Sequence, residues 1–425
     1  MKPLKHQIEK ANSCWATLLK YKYVYLQGLP RSGKTLTVLL TAEKSKRVKS
    51  VLILTTKNAI PGWIKFLKDP ELLTTTLTKN YHVTNYEQIG RFVLRKESKT
   101  GKKLKKPVKE LQLKLNPNDY ELVILDESHR IGRIGPPKSR YLLLSRLCAD
   151  MPHIHLSGTA MVESPNSIYY QMNISKYSPF SEFQTFYDYF RVFGQPSAIW
   201  LGNKEVPQYK LSNARLLPYV EKFTVRMTQE DAGIPKEVQA TDKLHYIILS
   251  EQTKQQYNEL QREKFLQLNN KILLCDTTMK LRTSLHMIEG GVFKVNEDYF
   301  FTGNIEKINY IKKYFGDTKD TGIMAHFIGE RLLLEKHFKH AKIYSSTADA
   351  EGTDLSHLQN FIIYSSGYSG AKFIQRRDRI VNINQSATTI VHHLIVKDAI
   401  SEQVYNTCSE KHNFNNETYK ENYLK

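Results

Sequence analysis

Short β-branched and aliphatic runs alternate with helix-length amphipathic stretches through the first half of the chain. The runs fall at 23–26 (YVYL), 51–54 (VLIL), 81–84 (YHVT), 122–125 (LVIL) and 153–156 (HIHL). Strand-length runs alternating with helical segments predict an α/β fold around a parallel sheet. From about 165 to 243 the pattern is mixed, rich in Tyr and Phe, with turn signals at Gly194, Gly202 and Pro235. Strand-like runs then resume at 246–249, 322–325, 361–364, 380–383 and 390–396. The simplest organisation is two α/β domains joined by a helical segment. The first would span 1–235, with a helical extension from about 165, and the second 236–425. At 425 residues the chain is too long for one ordinary core. No internal repeat is evident.

The first predicted strand runs into "GLPRSGKT", residues 28–35. Gly28, Gly33, Lys34 and Thr35 occupy the fixed places of G-x-x-x-x-G-K-[ST], between a strand-like and a helix-like stretch. Glycines let the backbone of Gly28, Leu29, Pro30, Arg31, Ser32 and Gly33 wrap closely enough for N–H groups to face phosphate oxygens. The following helix adds its positive end. Lys34 would neutralise β- and γ-phosphates of ATP, and the Thr35 hydroxyl would ligate Mg²⁺.

Charge narrows the partner. There are 62 Lys+Arg against 42 Asp+Glu, a net charge of +20, which favours a polyanion. The excess is concentrated between Arg91 and Glu110, with nine basic residues and two acidic ones. Pro107, Gly101 and lysines without a single-face period predict a loop there, with Lys102, Lys103, Lys105 and Lys106 able to follow a phosphate backbone. No apolar run approaches the ~20 residues that cross a membrane. The first residues lack a secretory h-region. Four scattered cysteines predict a reducing, cytoplasmic setting with no disulfide scaffold or zinc site.

"LDESH" (125–129) ends the fourth run. Asp126 can hold the Mg²⁺ shell, and Glu127 can orient or deprotonate an attacking water. "SGTA" (157–160) places Ser157, Gly158 and Thr159 at the next strand end, where hydroxyls could sense a γ-phosphate. "SSGYSGAKFIQRRDR" (365–379) pairs a Ser/Gly loop with Gln375, Arg376, Arg377 and Arg379. Arginines reaching a γ-phosphate would stabilise transition-state charge.

The ordered set GLPRSGKT, LTTK, TNYE, DESH, SGTA, MAHF and QRRDR resembles the motif series of superfamily 2 helicases and translocases. The details are most similar to the SWI/SNF-type branch and its fork-remodelling relatives, in the character of a small phage branch-migration helicase. "LKHQIEKA" (4–11) resembles the upstream glutamine motif, which would place Gln7 near adenine. "LTTKNAIPGW" (54–63) and "TNYEQI" (84–89) resemble first-lobe DNA-contact motifs. They make Thr55, Thr56, Lys57, Thr84, Asn85 and Tyr86 candidates for DNA contact, with Ser366, Gly367 and Ser369 in the second lobe. "LLPYVEKFTVRMTQEDAGIP" (216–235) resembles the passage into that lobe, and 392–411 the helix that closes it.

The resemblance implies two RecA-like lobes of the P-loop NTPase fold, each with a parallel central sheet, ATP and Mg²⁺ between them, and coupling through His129, Ser157, Gly158 and Thr159. It implies an ATP-hydrolysing DNA helicase or translocase, monomeric on duplex, forked or four-way branched DNA, working with replication or recombination proteins. The family's last motif has arginines four and seven places after its glutamine. Here these are Arg379 and Asn382, leaving Arg376 or Arg377 as the alternative finger. An RNA-dependent helicase, a non-hydrolysing binding module and a restriction-system motor subunit are the competing readings.

Overall fold

The computed structural model describes residues 3–29, 32–68, 77–97, 103–158, 160–161, 164–201, 204–228, 230–233, 240–268, 270–346, 355, 358–377, 390–410, 412–415 and 418–420. They form two compact units, Met1–Gly233 and Ile234–Lys425.

In unit 1, helix α1 (Lys5–Tyr21) leads into strand β1 (Tyr23–Gly28) and helix α2 (Lys34–Glu43). There follow β2 (Ser50–Thr55), α3 (Ile60–Lys68), β3 (Asn80–Asn85), β4 (Gly90–Glu97), β5 (Lys103–Leu113), β6 (Leu122–Asp126), α4 (Ser139–Leu147) and β7 (His153–Ser157). The sheet order is β10-β1-β7-β6-β2-β3, every pairing parallel, with β10 (Thr224–Met227) at one edge. A parallel sheet covered on both faces needs apolar residues on both sides of its central strands, which is why they read as continuous runs. Val24, Leu26, Val51 and Ile53 bury into one face, and Tyr23, Tyr25, Leu52 and Leu54 into the other.

Two expectations for this unit are corrected. The basic stretch is not a loop: β4 and β5 form an antiparallel hairpin, in register from Gly90↔Leu113 to Arg95↔Val108, with an irregularity before Glu97↔Lys103. Pro107 sits beside that irregularity, where a missing N–H is tolerated. The region from 165 is only partly helical. It holds α5 (Phe186–Phe193), a second hairpin of β8 (Ser197–Leu201) and β9 (Lys204–Gln208), and α6 (Leu216–Glu221) before ending in β10. Its Tyr and Phe side chains form an aromatic layer on the sheet, with Phe180 4.8 Å from Tyr189 and 5.5 Å from Tyr219 between ring centroids.

Unit 2 comprises β11 (Thr241–Tyr246), α7 (Glu251–Glu263), the hairpin β12–β13 (Phe265–Leu268, Lys271–Leu274), α8 (Thr278–Glu289) and the hairpin β14–β15 (Val292–Val295, Asp298–Phe301). Then come α9 (Glu306–Tyr314), β16 (Thr321–Ala325), α10 (Ile328–His337), β17 (Lys342–Ser345), β18 (Asn360–Ile363), α11 (Gly370–Arg377), β19 (Ile390–Ile395) and α12 (Ile400–Ser409). The sheet order is β11-β19-β18-β16-β17, again all parallel. The strand expected at 246–249 starts earlier. β11 is an edge strand whose partly buried positions alternate with exposed ones, so it shows no apolar run. Ile248 is 83% exposed, in the link to α7. The run at 380–383 lies outside the described residues.

Candidate nucleotide site and its chemistry

The phosphate loop joins β1 to α2, and its glycines meet a steric demand. A Cβ on Gly28 would fall 2.5 Å from Lys34 Cγ and 2.8 Å from Ser32 Oγ; one on Gly33 would fall 2.2 Å from Gln7 Nε2. Gly33 also has φ +87°, a conformation that larger residues resist. Lys34 Nζ donates to the carbonyls of Gly28 (2.7 Å) and Leu29 (2.9 Å). Ser32 Oγ is fully buried and, among the described residues, has no hydrogen-bond partner. A glycine cradle, a lysine folded over it and an unpaired hydroxyl suit a polyphosphate. Pro30 and Arg31 lie outside the described residues.

Helix α1 backs this loop. His6 Nε2 lies 3.1 Å from the Ser32 carbonyl, and Gln7 Oε1 accepts from the Leu4 N–H at 2.9 Å. Gln7 is thereby packed against Gly33. Lys10 pairs with Asp231 at 3.2 Å and ties α1 to the chain beyond β10.

Asp126 ends β6 and Glu127 follows it. Asp126 Oδ2 accepts from Thr55 Oγ1 at 2.7 Å and from Trp63 Nε1 at 2.9 Å, while Oδ1 accepts the Glu127 N–H at 3.0 Å. Burial pushes the Asp126 carboxyl above its ordinary range, and the neighbouring Glu127 charge adds to that; Trp63, Thr55 and the Lys34 charge pull it back. A desolvated carboxylate held by two donors favours a divalent cation, and with the half-buried Thr35 it supplies the hard oxygen donors suited to Mg²⁺.

Glu127 has φ +51°, an uncommon conformation for a non-glycine residue. Such outliers concentrate at functional sites. Its Oε2 is 3.2 Å from His129 Nδ1, which lies 2.9 Å from Ser157 Oγ. The structure therefore brings Glu127, His129 and Ser157 into one line, beside a buried Gly158. Thr159 lies outside the described residues.

Sequence reasoning missed the groups behind this edge. Trp63 and Thr55 hold Asp126 from elements that precede it by 63 and 71 residues. Tyr86 Oη donates to the Asp126 carbonyl at 2.6 Å. Ser128 Oγ donates to Tyr25 Oη at 3.1 Å, Tyr25 donates to Gln171 Oε1 at 2.8 Å, and Gln171 Nε2 donates to the Ala160 carbonyl at 2.7 Å. Only the complementarity of polar groups on adjacent strand ends could have signalled this.

The expected nucleic-acid residues divide. Thr55 and Tyr86 are buried with their hydroxyls engaged behind Asp126, so they are unavailable to a phosphate backbone. Asn85 is also turned inward, its Oδ1 accepting the Glu87 and Gln88 N–H groups. Thr84 is half-buried and Lys57 exposed. Thr56 Oγ1 is buried without a hydrogen-bond partner among the described residues. Lys103, Lys105 and Lys106 belong to β5; Lys102 lies outside the described residues.

In unit 2, Ser366 and Gly367 are buried, and the Gly367 carbonyl accepts from Cys408 Sγ at 3.7 Å. Ser369 precedes α11 and its carbonyl accepts the Phe373 N–H. Ser365 Oγ accepts the His326 N–H at 2.8 Å, joining the MAHF and SSG segments. Gln375 and Arg376 fall in the last turn of α11; Arg379 and Asn382 lie outside the described residues.

The SNF2-related domain family matches residues 32–289, more than half of the chain. The chain belongs to the SNF2-related family. The match starts inside the phosphate loop and reaches the end of α8, so it takes in every nucleotide-site residue from Ser32 to Ser157. No curated protein matches the sequence. Among solved structures it is similar to the Sulfolobus solfataricus SWI2/SNF2 ATPase core domain, at 14% identity and a TM-score of 0.41, covering 97% of this chain and 89% of that one. Its membership of the SNF2-related family makes the chain one of the nucleic-acid-dependent ATPase type. Among its described residues no helix is long and apolar enough to cross a membrane.

Proposed function

We propose that the chain is an ATP-dependent DNA translocase that binds duplex and branched DNA and drives branch migration or fork remodelling. The observation that carries the reading is the junction of phosphate loop and acidic strand end in unit 1. Gly28, Ser32, Gly33, Lys34 and Thr35 would hold the triphosphate, and Thr35 and Asp126 would hold Mg²⁺. Bound Mg²⁺ would supply neutralisation of phosphate charge. Glu127, held beside His129 and Ser157, would orient water and accept its proton. Gln7 would contact the base, and Arg379, or Arg376 with Gln375, would stabilise transition-state charge.

Duplex DNA fits the basic stretch once it is seen as a hairpin. A two-stranded ribbon is among the few elements that a major groove admits, and lysine contacts to phosphate hold any sequence. The experiment is ATP hydrolysis with no nucleic acid, single-stranded DNA, linear duplex, forked DNA, a four-way junction and RNA. Strong stimulation by duplex and branched DNA is expected; stimulation by RNA alone would replace this reading with an RNA-dependent helicase.

A further inference from the structure

Of the three tryptophans, Trp63 is buried against Asp126 and Trp15 packs partly into the core, but Trp200 is 69% exposed. It lies on β8 opposite Glu205, one pair from Leu201↔Lys204 at the turn of the β8–β9 hairpin. A two-stranded hairpin is marginal by itself, so its mounting matters. The Gln195 N–H donates to the Leu211 carbonyl and the Asn213 N–H to the Phe193 carbonyl, at 2.9 and 2.8 Å. The fully buried Asn166 donates to the Tyr209 and Leu211 carbonyls at 2.9 and 2.7 Å. Asn166 follows Ser157 by nine residues, so the root of the hairpin is fastened by the chain leaving the SGTA turn.

We infer that Trp200 is a stacking platform for an unpaired nucleobase where a duplex opens, an inference that rests on the DNA reading above. Among the described residues of the hairpin, the exposed large apolar side chains are Trp200 and Ile199, and as neighbours on one strand they point to opposite faces, so the ring stands without a large apolar neighbour from β8 on its own face. A protein-docking surface is centred instead on a broad apolar core. Arg191 is paired with Asp188 at 2.9 Å; from Gln195 to Arg215 the sequence has three basic residues, Lys204, Lys210 and Arg215, and one acidic residue, Glu205, a balance that favours a polyanion. Stacking on an aromatic face is sequence-tolerant, as a motor requires, and aromatic or apolar wedges hold bases apart at opened steps. The rigid root keeps the ring in place against the load of a moving strand.

The test uses the full-length chain with forked DNA bearing unpaired arms, blunt duplex of the same paired sequence, and forked RNA. Forked DNA should quench the exposed tryptophan emission more than blunt duplex does. Trp200→Ala should weaken fork binding about tenfold relative to blunt duplex and lower strand separation per ATP hydrolysed by a similar factor, while Trp200→Phe restores most of both. No quenching by any fork, together with equal fork preference in wild type, Trp200→Ala and Trp200→Phe, would overturn the inference. Quenching by forked RNA but not forked DNA would keep the ring's role and overturn the DNA reading. Hydrolysis by the wild type that no nucleic acid stimulates would overturn the motor reading while the quenching still decides the role of Trp200.

Discussion

At the end of β6 in unit 1, two carboxylates stand side by side at the rim of the sheet. In unit 2, Glu289 and Glu330 lie in the interior with Lys307, all three almost wholly buried. Lys307 Nζ is 3.9 Å from Glu289 Oε2 and donates to the Tyr364 carbonyl at 3.2 Å. Glu289 Oε1 accepts the N–H groups of Ile400 and Ser401 at the start of α12, and Glu330 accepts the Phe327 N–H and the Ser365 hydroxyl. These unit 2 side chains join α8, α9, α10 and α12 to one another. Those of unit 1 are held from behind and left one side for chemistry. Similar parallel sheets thus use carboxylates for opposite ends, and the difference lies in position: Asp126 and Glu127 stand at a strand end beside the phosphate loop, while Glu289 and Glu330 sit between helices in the interior.

The largest expected effect tests the chemical half of that contrast. Glu127→Gln should lower ATP turnover by about 10²- to 10⁴-fold while retaining ATP binding, since the amide keeps the shape but cannot accept a proton. Turnover and equilibrium nucleotide binding, measured together, check it. Near-normal turnover would place the proton acceptor elsewhere. Lys34→Ala should abolish turnover as well, but through lost phosphate neutralisation and weaker binding.

The structural half is tested next by Lys307→Met. Removing the lysine strands two buried carboxyls, and breaking such a pair costs about 3–5 kcal/mol. Denaturant unfolding followed by hydrogen exchange should show that loss in unit 2, with unit 1 protection unchanged. A variant as stable as wild type would mean that the two carboxyls are already neutral and the lysine merely fills space.

Which of these groups the sequence revealed follows from how local each signal is. GLPRSGKT and LDESH were legible because a phosphate loop and a strand-end carboxylate pair need particular residues at fixed short spacing. The central strands were legible because burial on both faces leaves continuous apolar runs. Edge strands such as β11 and β17 lacked those runs. The β4–β5 hairpin was masked by its lysines and Pro107, whose composition suits a loop. Lys307, Glu289 and Glu330 are separated by tens of residues and meet only through helix packing, so nothing at any one position announced them.

The two units also differ in their buried titrating groups, with a smaller expected effect. Burial lowers His153 to about 4 and His155 well below its ordinary value in unit 1. Their unfolded forms titrate near 6.5, so this stabilisation is present above pH 6.5 and is lost as pH falls toward 4. For the fully buried His153 that is on the order of 3 kcal/mol. Unit 2 contains the similarly buried His286, His392 lowered to about 4, and His245 and His337, also lowered by burial; the last three are less enclosed and each contributes less. Glu330 runs the other way: burial raises it to about 7, so between pH 4.5 and 7 the folded state holds a proton that the unfolded state releases. Its contribution therefore grows as pH falls through that window. Hydrogen exchange at pH 7 and pH 5 should show unit 1 losing more stability than unit 2, and Glu330→Gln should steepen the loss in unit 2. An unchanged slope in Glu330→Gln would show that this carboxyl does not titrate there.

The smallest effect concerns what holds the unit 1 carboxylate in place. Thr55 and Trp63 both donate to Asp126 Oδ2, and neither hydroxyl nor indole reaches solvent to any extent. If they orient the carboxylate for Mg²⁺, Thr55→Val and Trp63→Phe should each raise the Mg²⁺ concentration giving half-maximal hydrolysis by about tenfold, the lower end of what outer-shell partners contribute. Both replacements keep most of the side-chain volume, so the strand ends should remain packed. DNA affinity measured with Mg²⁺ saturating should stay at the wild-type level, because both side chains lie behind the carboxylate. The opposite pattern for Thr55→Val, weaker DNA binding with an unchanged Mg²⁺ requirement, would return Thr55 to the nucleic-acid surface and leave Trp63 as the sole side chain aligning Asp126.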